Sequence, residues 1–193
     1  MTAPSPWVAR FAPLVAPVGT VLDLAAGGGR HGRHFLARGC RAVFVDRDVA
    51  ALADLADNAD ALVIEADLED GADPFAAGGP LADLAVEAAV VTNYLHRPLF
   101  DGLIGALKPG GVLIYETFAR GNEAYARPRN PDHLLRSGEL LNVAAGRMQV
   151  VAYEHGRVET ADIPGVKQRL CAVKDLASSV RDDGEPPAHD VLP

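Results

Sequence analysis

A doubly wound α/β fold is what this sequence predicts, on three observations. Short apolar runs bounded by Gly, Asp or Asn alternate with helix-like stretches along the chain, as strands buried on both faces of a parallel sheet do when crossover helices join them. A run of glycines, Gly27-Gly28-Gly29, stands between the first such strand and the first such helix. The last two apolar runs are joined by residues 156–165 with no helical pattern between them, and strands joined without a crossover pair antiparallel. Together these describe a Rossmann-like sheet of seven strands, mostly parallel, with an antiparallel last strand.

The expected strands are 20–25, 41–46, 61–65, 88–93, 111–117, 148–154 and 166–173, and the expected helices 30–38, 49–58, 99–107 and 132–145. Gly39 is a C-terminal stop for the first of these helices, and Asp48 an N-cap for the second. Pro109-Gly110-Gly111 is a turn that breaks the chain before the fifth strand. One domain is expected over residues 1–178. The polar stretch 179–193, with Asp-Asp-Gly-Glu-Pro-Pro in it, is expected to be a disordered tail.

Composition narrows the function classes. The chain has 193 residues, 49% of them apolar and 23% charged, enough for one full hydrophobic core. No uncharged apolar run approaches the roughly 20 residues of a membrane span, and residues 1–10, with neither a basic leader nor an apolar core, do not read as a signal peptide. Two cysteines, Cys40 and Cys171, fit no disulfide framework or metal spacing. His31 and His34 lack a credible third ligand, so no metal is expected. These features suit a reducing cytoplasm. A net charge of −8 weighs against nucleic acid as a partner and leaves small molecules as the expectation.

The chemistry centres on the first strand–helix turn, Asp23-Leu24-Ala25-Ala26-Gly27-Gly28-Gly29-Arg30-His31-Gly32. Glycines let the backbone approach a ligand closely, and the helix that follows offers unpaired N–H groups. Gly27-x-Gly29-x-x-Gly32 also satisfies the dinucleotide fingerprint. Asp23 argues against that ligand, because a pyrophosphate beside it meets a like charge, whereas an ammonium and a sulfonium find it favourable. The antiparallel ending also departs from the second half of a dinucleotide fold. About 20 residues past the turn, Val43-Phe44-Val45-Asp46 ends the second strand with a carboxylate placed for ribose hydroxyls. Asp67, after the third strand, brings another to the same edge, where an adenine amino group would meet it.

These residues together resemble the class I S-adenosylmethionine-dependent methyltransferases, over nearly the whole chain. The resemblance implies that the glycine loop wraps the methionine part of S-adenosylmethionine, Asp46 holds its ribose and Asp67 its adenine. The cofactor-binding residues it implies are Asp23, Ala25, Gly27, Gly29, Asp46, Arg47, Asp67, Leu68 and Asn93. Ala25 departs from the family, which has glycine there. A narrower likeness, to the tellurite-resistance-protein-like and thiopurine-type small bacterial enzymes, rests on residues 26–32, on Thr92-Asn93-Tyr94-Leu95-His96-Arg97-Pro98-Leu99, and on Tyr115-Glu116-Thr117-Phe118 with Gly121-Asn122-Glu123. It implies that residues 7–11 lie over the cofactor with Arg10 on its carboxylate. Read from the residues alone, the same segment is a helix that uses Trp7 and Phe11 as core anchors.

The end of the fourth strand is where such enzymes place the transferable methyl. Asn93 is expected to bond cofactor or acceptor, Tyr94 to wall the pocket, and His96 to serve as general base, its ordinary pKa being suited to that task. The segment is not the Asn/Asp-Pro-Pro-Tyr pattern of enzymes that methylate adenine or glutamine amino groups. Residues 119–131 carry Arg120, Asn122, Glu123, Tyr125, Arg127 and Arg129, a candidate acceptor loop, with Gln168 and Arg169 as weaker candidates on the last hairpin. The function expected is methyl transfer to a small-molecule acceptor. Two alternatives stay open: an NAD(P)-dependent oxidoreductase, and a non-catalytic module that binds S-adenosylmethionine or a nucleotide.

Overall fold

The computed structural model describes residues 3–159, 163–177 and 184–191. Seven strands form one sheet: β1 (Thr20–Leu24), β2 (Arg41–Asp46), β3 (Ala61–Glu65), β4 (Val86–Thr92), β5 (Leu107–Phe118), β6 (Gln149–Val158) and β7 (Gly165–Val173). Their spatial order is β3-β2-β1-β4-β5-β7-β6. The first five pair parallel with one another, and β7 runs antiparallel to both β5 and β6. The expected mostly parallel sheet with a reversed last strand is what forms. The order reverses between β1 and β4, and ligands of open α/β sheets bind at the carboxyl ends of strands beside such a switch point.

Alternation along the strands sends side chains to two cores. On one face Leu22, Leu24, Val43, Val45, Leu113 and Leu170 pack with Leu103 and Ile104 of α3 (Phe100–Ala106) and with Leu140 and Ala144 of α4 (Glu139–Ala144). On the other, Val21, Val90, Ile114 and Cys171 pack with Trp7 and Phe11 of α1 (Pro6–Phe11) and with Phe35 of α2 (Arg30–Leu36). Helix α1 is capped by Ser5, whose side chain accepts from the Trp7 N–H, and Trp7 is 2% exposed. Residues 7–11 are thus the core-anchoring helix of the two expected arrangements.

Three elements differ from the expected ones for identifiable reasons. The expected helix 49–58 is a 3-10 helix, Ala50–Leu55, whose buried residues are Leu52 and Leu55; a three-residue apolar spacing is the period of that tighter helix. The expected helix 132–145 is broken at Gly138 (φ 70), leaving a 3-10 turn, Pro131–His133, and α4. Between them Leu135 bridges to Ala119, and Arg97 donates to the carbonyls of Asp132 and Leu134. The Pro109-Gly110-Gly111 turn lies inside β5, where the pairing to β4 shifts register. Of residues 179–193, only 184–191 fall among those described; there His189 Nε2 lies 2.6 Å from Asp175 Oδ2. No helix among the described residues is long and apolar enough to cross a membrane.

Candidate functional site

The glycine turn is held by its own acids. Asp23 leaves β1 on the α1/α2 face, 2% exposed, and accepts from the Gly32 N–H at 2.8 Å. Asp46, ending β2, accepts from the Gly27 N–H at 2.7 Å and the Asp48 N–H at 3.1 Å. The Gly29 N–H donates to the Ala26 carbonyl at 2.8 Å. Three N–H groups of the turn are therefore engaged within the protein. The glycines divide by role: Gly27 (φ 54) and Gly29 (φ 70) supply left-handed backbone, whereas a Cβ on Gly32 would lie 2.2 Å from the Phe44 ring. Gly32 thus lets α2 pack against β2. Ala25 adopts φ 55 as well, a conformation that favours glycine.

Burial pushes the Asp23 carboxyl up to about 7, against the opposing pull of the Gly32 N–H and the Arg30 charge. His31 lies beside it, 3% exposed, with Nδ1 3.9 Å from Asp23 Oδ1. The Ser5 N–H donates to His31 Nε2 at 3.3 Å, which ties the cap of α1 to the turn.

Two clefts open on this turn and meet at Ala25. The first, of about 340 Å3, is lined by Asp46, Arg47, Ala66, Asp67, Leu68, Glu69 and Tyr94. The second, of about 770 Å3, is lined by Ala3 and Pro4, the turn from Ala25 to Gly28, Arg30, His31, Arg33, His34, Thr92 and Asn93, with Ala37 and Asp54 at its edge. Arg33 is committed to Asp54 at 2.6 Å. His34 is held below its ordinary pKa by burial and by Arg38.

Of the residues expected to bind cofactor, Ala25, Gly27, Asp46, Arg47, Asp67, Leu68 and Asn93 line these clefts. Asp23 and Gly29 lie behind them as the frame of the turn. Arg10 is placed elsewhere: it pairs with Glu154 at 3.3 Å and lies over the Phe11 ring at 4.9 Å, because α1 turns its basic end toward β6. Tyr94 lines the first cleft. Its hydroxyl is buried without a hydrogen bond, and burial, then the Glu69 charge, push its pKa up. His96 starts the 3-10 turn Arg97–Leu99 and is not among the residues lining either cleft.

The candidate loop residues serve the scaffold in part. Asn122 is fully buried and holds the loop together, donating to the carbonyls of Ala126 and Pro128 and accepting from the Val166 N–H. Gln168 accepts from the Leu140 N–H and donates to the Arg136 carbonyl, fastening α4. Arg120, Arg127 and Arg129 are exposed, and Tyr125 carries Arg157 over its ring.

A buried ionic cluster beneath the second cleft has no counterpart in the expected site. Glu116 on β5, 1% exposed, pairs with Lys167 at 3.1 Å and Arg169 at 2.6 Å, both on β7, and accepts from the Ser5 hydroxyl at 3.3 Å. Arg169 continues to Glu154 at 3.2 Å, and Lys167 reaches Asn93 Oδ1 at 2.8 Å. The sequence signal is Lys167-Gln168-Arg169, three polar residues inside an otherwise apolar strand.

No protein-family model matches the chain, and no curated protein does. Solved structures do match. TehB from Haemophilus influenzae superposes with a TM-score of 0.66 at 16% identity, over 87% of this chain and 61% of that one, so this chain spans about three-fifths of its length. The N-methyltransferase NodS from Bradyrhizobium japonicum gives 0.63 at 14% identity, over 87% and 94%. A 1,6-didemethyltoxoflavin-N1-methyltransferase from Burkholderia thailandensis, solved with its substrate and S-adenosylhomocysteine, gives 0.62 at 19%, over 88% and 77%. The chain has the fold of the S-adenosylmethionine-dependent methyltransferases.

Proposed function

We propose that the chain binds S-adenosylmethionine across the two clefts and transfers its methyl group to a small-molecule acceptor. The observation that carries this reading is the distribution of charge around the turn. Carboxylates of Asp23, Asp46, Asp67 and Glu69 surround it, and the N–H groups of Gly27, Gly29 and Gly32 are already engaged within the protein. A pyrophosphate would meet like charge and few donors there, which disfavours NAD(P). A ligand with an ammonium, a sulfonium and a ribose fits both features.

The residues present suit that cofactor. Asp23, buried behind the turn, would draw the ammonium electrostatically through the turn and not by contact. Asp46 and Asp67, with the apolar walls of Ala66 and Leu68, would take the nucleoside in the smaller cleft, and Arg47 and Tyr94 would close it. The cofactor supplies an already activated methyl. What remains for the protein is to align an acceptor and exclude water. Asn93 at the second cleft and Tyr94 at the first flank the junction at Ala25. With its pKa raised, Tyr94 keeps its proton at neutral pH and can donate a hydrogen bond, but it does not act as a base.

Likeness to TehB and to several small-molecule methyltransferases supports a small acceptor. A cleft of about 770 Å3 beside Asn93 favours an enzyme over a module that merely holds the cofactor. Thermal unfolding with S-adenosylmethionine, S-adenosylhomocysteine, NAD and NADP tests the cofactor. Stabilisation by the first two is expected, and stabilisation by NAD alone would overturn the proposal. Turnover across thiol, oxyanion and carboxylate acceptors then addresses the second substrate.

A further inference from the structure

Lys167 is 1% exposed near the start of β7, its ammonium over the Phe118 ring at 4.8 Å, and two of its polar contacts differ in kind. One is the Glu116 carboxylate at 3.1 Å, which balances its charge. The other is Asn93 Oδ1 at 2.8 Å. A lysine ammonium has three donors and no acceptor, so the Asn93 amide must turn its oxygen toward Lys167. Its NH2 group has no hydrogen-bond partner among the described residues, and Asn93 lines the second cleft. The backbone is fixed too: Asn93 sits at φ 54, with its N–H held by the Glu116 carbonyl at 2.8 Å. The same glutamate thus fixes the residue through its carbonyl and the amide rotamer through Lys167.

We infer that Lys167 is a positioning residue that locks the Asn93 amide as a hydrogen-bond donor toward the second cleft, where it holds the carboxylate at the amino-acid end of the cofactor. This rests on the cofactor reading above and assigns that carboxylate a partner once Arg10 is engaged with Glu154. The cleft places Asn93 with the glycine turn, on the side opposite the nucleoside-lining acids. A carboxylate has acceptors only and needs a donor there. Without Lys167 the amide can flip and present its oxygen, which repels a carboxylate.

The test compares two probes by calorimetric titration: S-adenosylhomocysteine, which has the amino-acid end, and 5′-methylthioadenosine, which lacks it. In Lys167→Met, and independently in Asn93→Asp, S-adenosylhomocysteine should bind at least roughly tenfold more weakly, the loss expected for a hydrogen bond to a charged group. Binding of 5′-methylthioadenosine should stay within about twofold, and Lys167→Arg should restore most of the difference. Lys167→Met leaves Glu116 paired with Arg169, and Asn93→Asp leaves the Glu116–Lys167 pair in place, so Glu116 keeps a cationic partner in both variants. Equal weakening of both probes, or of neither, would overturn the inference. A parent protein that binds neither probe would instead overturn the cofactor reading itself.

Discussion

Asp23 makes the cofactor reading testable through stability alone. Its carboxyl is 2% exposed and titrates at about 7 in the folded protein against 3.8 when free. Between those values the native state binds more protons than the unfolded chain, so stability is highest below the lower value and falls as pH rises toward the upper one. Fully ionised, a carboxyl shifted that far costs the native state about 4 kcal/mol, and about 2 kcal/mol of this develops between pH 5.5 and 8. For a chain of this length that is roughly 4–8 °C of melting temperature. Asp23→Asn keeps an acceptor for the Gly32 N–H and removes the charge. Its melting temperature relative to the parent should therefore rise by about that amount on going from pH 5.5 to 8, measured calorimetrically without ligand. An ammonium bound near it would offset part of the penalty, so S-adenosylhomocysteine should stabilise the parent more at pH 8 than at pH 5.5, and at pH 8 more than it stabilises Asp23→Asn. A constant difference between the two apo proteins across this range refutes the buried-charge argument. An equal ligand effect on parent and variant at pH 8 refutes the ammonium assignment.

Asp46→Ala removes the acceptor of two backbone N–H groups; it should lower stability by about 1–2 kcal/mol and weaken S-adenosylhomocysteine at least roughly tenfold in a titration. Parent-like affinity would remove the ribose role. Gly32→Ala drives a methyl into Phe44 and should cost about 1–3 kcal/mol by chemical denaturation. Gly28→Ala meets nothing within 4 Å and has no positive φ, so its stability should match the parent while the new methyl, in the second cleft, weakens ligand binding. Arg10→Ala breaks a partly exposed pair with Glu154 and should change S-adenosylhomocysteine affinity by less than about twofold; a large loss would return Arg10 to the cofactor carboxylate.

Much of the fold could be read locally. β2 and β3 form over the residues their apolar runs mark, and the two-strand ending without a helix declares β7 antiparallel. Asp46 and Asp67 could be placed because one ends a strand and the other follows one, and Asp23 because it stands one residue before the end of β1, so position in sequence fixes position near the sheet edge. Arg10 was not, because where a side chain on α1 points depends on which part of the sheet the helix packs against. The short helices were overestimated for a related reason. Leu52 and Leu55 suit either helical period, and burial against Phe44 selects the tighter one.

The ionic cluster was illegible because it exists only in register. Thr92, Glu116, Arg169 and Glu154 stand side by side across β4, β5, β7 and β6, yet they are scattered over more than 60 residues of sequence. One row earlier on the same face, Val90, Ile114 and Cys171 belong to the apolar core. The face therefore changes from hydrocarbon to alternating charge at the strand ends where the clefts open. Acid, base and acid alternate from β5 to β6, so each charge has an opposite neighbour across a strand pair, and burial strengthens those pairings as it raises the cost of leaving any member alone. Such a row is a poor device for stability, since apolar side chains of similar size would serve a sheet centre as well. Its contribution is orientation: with Glu116 fixed by Arg169 and Ser5 and in turn holding Lys167, the ammonium meets Asn93 Oδ1 and turns that amide's nitrogen away from the cluster.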